Sequence, residues 1–350
     1  MEANTVPGES LMMELNRLVQ EEVKRSSWWE LRGKDCTILG LAFMALPLRA
    51  AALALASARP VGALLLGVCH AVITIKGTHL SSHSGICLWC LQVGGAFSAD
   101  AAVHGHVKFH HAHTNVLGLG DSSLWKVPSL SREVYLFIAP LAVPVITPLV
   151  AVAHLRGRPF LSSLRTVLLI SLGLCSHLWI LLDFCGFSFL SALCCMFLTR
   201  SIFSIPYIHV NIFQHIGLSM FSPEQRPKRI HQMTHGVLNL PRNPLLDWTF
   251  GHSLISCHIE HHLFPSLSDN MCLKVQPVVR RFLKQKSLPY QQDLYLSRLR
   301  LFFHQYRELM VLARPSPSSW ASNERPGIQT GDQSEDRTVQ EAMMESEERC

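Results

Sequence analysis

The sequence predicts an all-α membrane protein with about four transmembrane helices and a cytosolic histidine-rich cap. Three observations carry this expectation. Of 350 residues, 48% are hydrophobic and only 16% charged, against about a quarter charged in ordinary soluble domains. Apolar stretches long enough for a bilayer core of ~30 Å recur along the chain. Histidines at helical spacing cluster in three places, each beside such a stretch.

Residues 1–35 are polar, with no apolar core of the signal-peptide type, and are expected to stay as a cytosolic N-terminal segment. Leu11, Leu15, Leu18 and Val19 recur at helical spacing ahead of Trp28 and Trp29. That pattern suits a helix lying in the membrane interface, or equally a solvated amphipathic one. Residues 36–57 and 60–78 read as two spans around the Arg59-Pro60 turn. Lys24, Arg25, Arg32 and Lys34 precede the first span, which puts the N-terminus in the cytosol and makes His79 emerge on the cytosolic side. Residues 84–99 are too short and glycine-rich to span, so the chain returns to the same face.

A glycine loop over 117–120 leads to residues 134–153, which are apolar but carry Pro140, Pro144 and Pro148. Proline removes helical hydrogen bonds. An even number of crossings is needed to keep all histidine clusters on one face, so this stretch is expected to lie in the interface or re-enter. Spans at 164–183 and 187–209 follow, leaving both termini cytosolic. Arg200 inside the last span calls for a backbone partner, a carboxylate or a substrate headgroup. The organisation is then a membrane catalytic domain over 36–290, and over 291–350 a basic amphipathic stretch with a polar tail that cannot bury a core. Eleven cysteines show no paired spacing, and no disulfide is expected. The net charge of +6 flanks apolar runs, which fits topology and contact with membrane lipids rather than nucleic acid.

The histidines carry the chemistry. His79 with His83, His106 with His110 and His111, and His258 with His261 and His262 each share a helix face. His215 ends a run after the last span, and Asn211, one turn ahead of it, is a candidate to act on the site from behind the ligands or through water. Eight or nine neutral imidazoles exceed the four ligands of one zinc and fit two metal ions. His104 and His113 lie close enough to compete with His106. His70, His154, His177 and His304 stand alone and read as packed or hydrogen-bonded residues. His231 and His235 read at most as supporting the site or substrate access.

The three boxes, in this order and with these gaps, resemble those of the membrane-bound fatty acid desaturases. His258-Ile259-Glu260-His261-His262-Leu263-Phe264-Pro265 is very similar to that family's third box, and the likeness covers about residues 36–290. The resemblance implies two iron ions, a long acyl substrate as the CoA ester, O2 leaving as water, cytochrome b5 as electron donor and residence in the endoplasmic reticulum. The chain departs from the pattern at Leu80, where relatives often carry an acid. At His258, the front-end branch with a fused cytochrome b5 domain has glutamine. No His-Pro-Gly-Gly motif of such a domain occurs here, so the donor is expected to be a separate protein. Lys228, Arg229, Arg280 and Arg281 could receive an acidic partner, a CoA phosphate or lipid headgroups. A diiron hydroxylase would use the same boxes, and a zinc-dependent membrane hydrolase or receptor is the remaining alternative.

Overall fold

A computed structural model describes residues 10–55, 59–84, 88–117 and 130–310. The glycine loop beyond 117 and the polar tail from Pro315 lie outside the described residues. Within them the protein is helical, with two isolated β-bridges and no strand.

Helix α1 (Leu11–Lys24) starts at Ser10, whose hydroxyl accepts from the Met13 amide. Its apolar stripe does not face a membrane. Leu15 and Val19 are fully buried in one core with Val275, Val279, Phe282 and Ile259. Lys274 reaches Glu30 at 2.7 Å, and the Asn270 amide donates to Asp35 Oδ2 at 3.1 Å, so the following segment is tied to the same late helix. Trp28 and Trp29 remain exposed.

The expected first span is divided into α2 (Lys34–Met44) and α3 (Leu46–Ala54). Pro47 has no N–H to give to the carbonyl four residues back, which favours a break at this point. Next comes α4 (Arg59–His83), then the short α5 (Leu88–Gly95) and α6 (Ala99–Val103), which widens into π-type turns over His104–His110. Eight residues cannot cross a bilayer, in line with the expected return of the chain through α5.

Three long helices follow: α7 (Val134–Ala153), α8 (Phe160–Phe184) and α9 (Phe189–Phe213). With α4 they are the four described helices long and apolar enough to cross a membrane. The number matches the sequence expectation, but the membership differs. The proline-bearing stretch α7 is continuous: Pro140 and Pro144 fall at the starts of its short 3-10 and α-helical parts, where a missing N–H is tolerated, and Pro148 is accommodated inside the helix. Both ends of α7 contact histidine-bearing elements. Leu136 O lies 2.9 Å from His209 Nε2, and beyond Ala153 Arg158 pairs with Asp100 at 3.7 Å, just ahead of the second box.

At the other end of the bundle Arg59 lies over the Phe187 ring and reaches the Leu53 and Cys185 carbonyls. Arg200 donates to Gly94 O at 2.9 Å, which gives the charge a backbone partner and the end of α5 a donor.

The cap comprises α10 (Arg229–Gly236), α11 (Pro244–Phe250), α12 (His258–Leu263), α13 (Asp269–Gln285), α14 (Tyr295–His304) and α15 (Tyr306–Met310). The amphipathic stretch after 290 buries Phe302 and Tyr306 against Tyr135 and Phe213. Leu15→Ala should cost about 2–5 kcal/mol, the usual range for a buried leucine, and should open α1 to protease in detergent. Unchanged melting and protection would show that α1 does not depend on the cap.

Candidate metal centre

Eight histidines converge in two groups. His79, His83, His106 and His261 form one; His110, His215, His258 and His262 form the other, with the offered nitrogens of each group within 4.8 Å of one another. His111 belongs to neither. Its ring lies between them, 4.9 Å from His83, 4.5 Å from His261 and 4.5 Å from His262.

Backbone geometry sorts the rings. In the second box His111 N bonds to His106 O, five residues back, so the turn is wider than in an α-helix. The widening brings His111 round toward His106, with Nε2 atoms 3.2 Å apart, and sends His110 to the other group. The third box is one short helix, whose i, i+3 and i+4 face holds His258, His261 and His262 while Ile259 is buried in the cap core. Its ends are held from outside. Asn239 Oδ1 accepts from Ile259 N at 2.8 Å, and Arg229 donates to His262 O at 2.7 Å. Glu260 turns away from the histidines to accept from Asn239 at 3.0 Å and Tyr290 at 2.8 Å; burial pushes its carboxyl up to about 7 against those two bonds.

These donors fit a metal centre. Burial first, then neighbouring imidazoles, hold His106, His111, His261 and His262 well below the ordinary histidine range, so these rings are neutral at pH 7, as ligands must be. His83 Nε2 and His262 Nε2 are buried with no hydrogen-bond partner among the described residues. Thr114 explains the second. Its hydroxyl donates to His110 O at 2.6 Å, so its lone pair faces His262 Nδ1 at 3.2 Å; that ring nitrogen carries the hydrogen and leaves Nε2 bare. His79 Nε2 to His261 Nε2 and His215 Nε2 to His258 Nε2 are each 2.9 Å. Nitrogens this close could both reach one ion through bonds of about 2.1 Å.

The family model described as fatty acid desaturase matches residues 39–294. The chain belongs to the fatty acid desaturase family. It is 56% identical over 325 residues to fatty acid desaturase 6 of Homo sapiens, covering 88% of this chain and 90% of that protein. The Bos taurus protein of that name is 56% identical, with 88% and 94% covered. A shorter match, 32% over 107 residues, joins 30% of the chain to 24% of the Delta(5) fatty acid desaturase fat-4 of Caenorhabditis elegans. The protein is thus an oxidoreductase of this family, with histidine groups compatible with a metal centre. The run from His106 to Ser123 and the segment from Asn239 to Pro265, which suggest the same narrower likeness in the sequence, both lie within the matched residues 39–294.

In this desaturase the competing histidines fall outside both groups. His104 stacks on Phe109 and is exposed, and His113 stands edge-on to the same ring. His70, His154, His177 and His304 are also outside, with His154 Nδ1 bound to Val150 O. His235 Nδ1 turns back to His231 O. Asn211 donates to Tyr207 O at 2.7 Å. Arg229 is committed to the third box, whereas Lys228, Arg280 and Arg281 are exposed.

Sequence reasoning missed Thr114, Asn239, Ser253 and Asp269. None has a local pattern, although Thr114 lies in the run from His106 to Ser123, and Asn239 and Ser253 lie in the segment from Asn239 to Pro265. Asn239→Ala should strand the Ile259 amide and one oxygen of the Glu260 carboxylate, at about 1–3 kcal/mol for each group left unpaired. The readout is thermal unfolding in detergent, and a wild-type melting curve would refute the assignment.

Proposed function

We propose that this desaturase introduces a double bond into a long acyl chain, presented as the CoA ester, at a centre of two iron ions. His79, His83, His106 and His261 hold one iron, and His110, His215, His258 and His262 the other. His111 stands at their junction and Asn211 acts through water. The observation that supports this most is the sorting of eight imidazoles into two sets of four, one wholly buried and the other partly so. When bound, the iron pair supplies, with O2, the oxidant that takes hydrogen from an unactivated methylene, which side-chain acids and nucleophiles cannot do. Two hydrogens leave the acyl chain. O2 takes four electrons, two from the chain and two from the donor, and leaves as two waters.

The side chains supply position and dryness. Thr114, Arg229 and Asn239 fix rings and the box helix, and the buried setting excludes water from the reacting carbon. Electrons come from a separate cytochrome b5, and exposed Lys228, Arg280 and Arg281 offer cations to an acidic partner or to CoA phosphates. The protein resides in the endoplasmic reticulum membrane with both termini cytosolic, and α7 does not cross. The shared end of the Arg59 and Cys185 turns supports placing both in the lumen.

Elemental analysis of purified protein should give two irons and no zinc per chain. His261→Ala and His262→Ala should each abolish formation of the alkene while membrane insertion persists, because apolar helices drive insertion; His304→Ala serves as control. Wild-type activity and iron in both variants, or an alcohol as the product, would overturn the reading. Glycosylation acceptors near 59 and 185 should be modified, and one near 158 should not. Modification at 158 would rule out the four-span topology.

A further inference from the structure

Outside the two histidine groups lies a buried carboxylate bonded to a serine that touches both. Asp269 opens α13 and is 4% exposed. Its Oδ2 accepts from Lys76 Nζ at 2.8 Å, and its Oδ1 accepts from the Ser253 amide at 2.8 Å and the Ser253 hydroxyl at 2.7 Å. Ser253 lies in the turn between α11 and α12. Its Oγ stands 3.4 Å from His79 Nδ1, and its carbonyl oxygen 2.9 Å from His258 Nδ1. One serine therefore touches one histidine of each group.

The hydrogen inventory decides the roles. A carboxylate only accepts, and a hydroxyl has one hydrogen. Burial alone would raise the Asp269 carboxyl, but Lys76 beside it holds it well below the ordinary range, so it is an acceptor at neutral pH. With the Ser253 hydrogen given to Asp269, the hydroxyl oxygen offers His79 a lone pair, and His79 Nδ1 is the donor. His79 Nε2 is then bare and faces His261 Nε2. The Ser253 carbonyl likewise only accepts, so His258 Nδ1 carries its hydrogen and Nε2 faces His215 Nε2 bare. Gly251 leaves room for this. A Cβ there would come 2.5 Å from Asp269 Oδ1, and its φ of +107° suits glycine alone.

We infer that Asp269, acting through Ser253, is a positioning residue that fixes the Nδ1–H form of His79, while the carbonyl of the same serine fixes that of His258. One ligand of each group thereby presents Nε2 inward. Partners behind ligating histidines set the tautomer and ring orientation and raise ligand basicity, and losing one commonly lowers metal affinity 10- to 100-fold. The inference rests on the two-iron reading above and goes beyond it by giving the groups different supports. The hydroxyl serves only His79, and the carbonyl only His258.

The test is metal retention by the purified, iron-loaded protein against increasing chelator, with Ser253→Ala, Ser253→Thr and wild type compared. Ser253→Ala should release one iron equivalent at about 10- to 100-fold lower chelator and retain the other as wild type does, with melting of the metal-free protein unchanged. Ser253→Thr, which keeps the hydroxyl, should behave as wild type. Release of both equivalents at wild-type chelator concentrations would overturn the inference while leaving the two-iron reading intact. So would a parallel weakening of both equivalents with a lower metal-free melting temperature, the mark of a merely structural serine. A wild type with fewer than two irons would overturn the two-iron reading, and this inference with it.

Discussion

Nine imidazoles can share one largely buried volume only if charge on them is avoided. Two cations about 5 Å apart repel by about 3 kcal/mol even at an effective dielectric constant near 20, and the nine rings form many such pairs at 4.3–6.0 Å. Burial and mutual repulsion therefore act in the same direction, keeping His106, His111, His261 and His262 unprotonated. A neutral ring still has one hydrogen, and its position decides which nitrogen can bind a metal. The fold answers from behind the rings. Thr114 fixes His262, the Ser253 carbonyl fixes His258, and the Ser253 hydroxyl fixes His79.

Such support requires a rigid cap, and the elements that carry the rings are not rigid alone. A helix as short as His258–Leu263 has no independent stability in water. It persists because Ile259 is fully buried, Asn239 takes an amide of its first turn and Arg229 a carbonyl of its last. His215 sits in a turn of the same dependence. Arg298, from α14, donates to the Phe213 and Ile216 carbonyls on either side of it, while Asn115 donates to the His215 carbonyl itself. The segment after 290 is therefore a clamp on the site.

Periodicity made the three boxes legible, since i, i+3 and i+4 histidines can only share a face if helical. It did not show how the rings divide. The π-type turns at His104–His110 change the register, so neighbours His110 and His111 go to different places, and no spacing rule for α-helices anticipates that. Apolar length gave the right number of long helices but misjudged prolines. Pro47 splits one expected span, whereas Pro140 and Pro144 lie where helical segments begin and cost little. The stripe of α1 was visible, yet amphipathicity cannot say whether the apolar face meets lipid or protein. Asp269 and Asn239 act over long sequence separations, so only the fold shows them.

The groups also join membrane helices to the cap. His79 and His83 come from the end of α4, and His215 follows α9, while the remaining members of each group come from outside the long helices. Lys76 lies one turn before His79 on the same face of α4 and is paired with Asp269 of the cap. The ion pair and the imidazole thus fix one register between them. A shift of α4 by a single residue moves each group about 1.5 Å along the axis, enough to break the 2.8 Å contact of Lys76 and to withdraw His79 Nε2 from His261. The apolar bundle is therefore part of what sets the distances at the histidine groups, rather than an anchor on which a separate catalytic head is mounted.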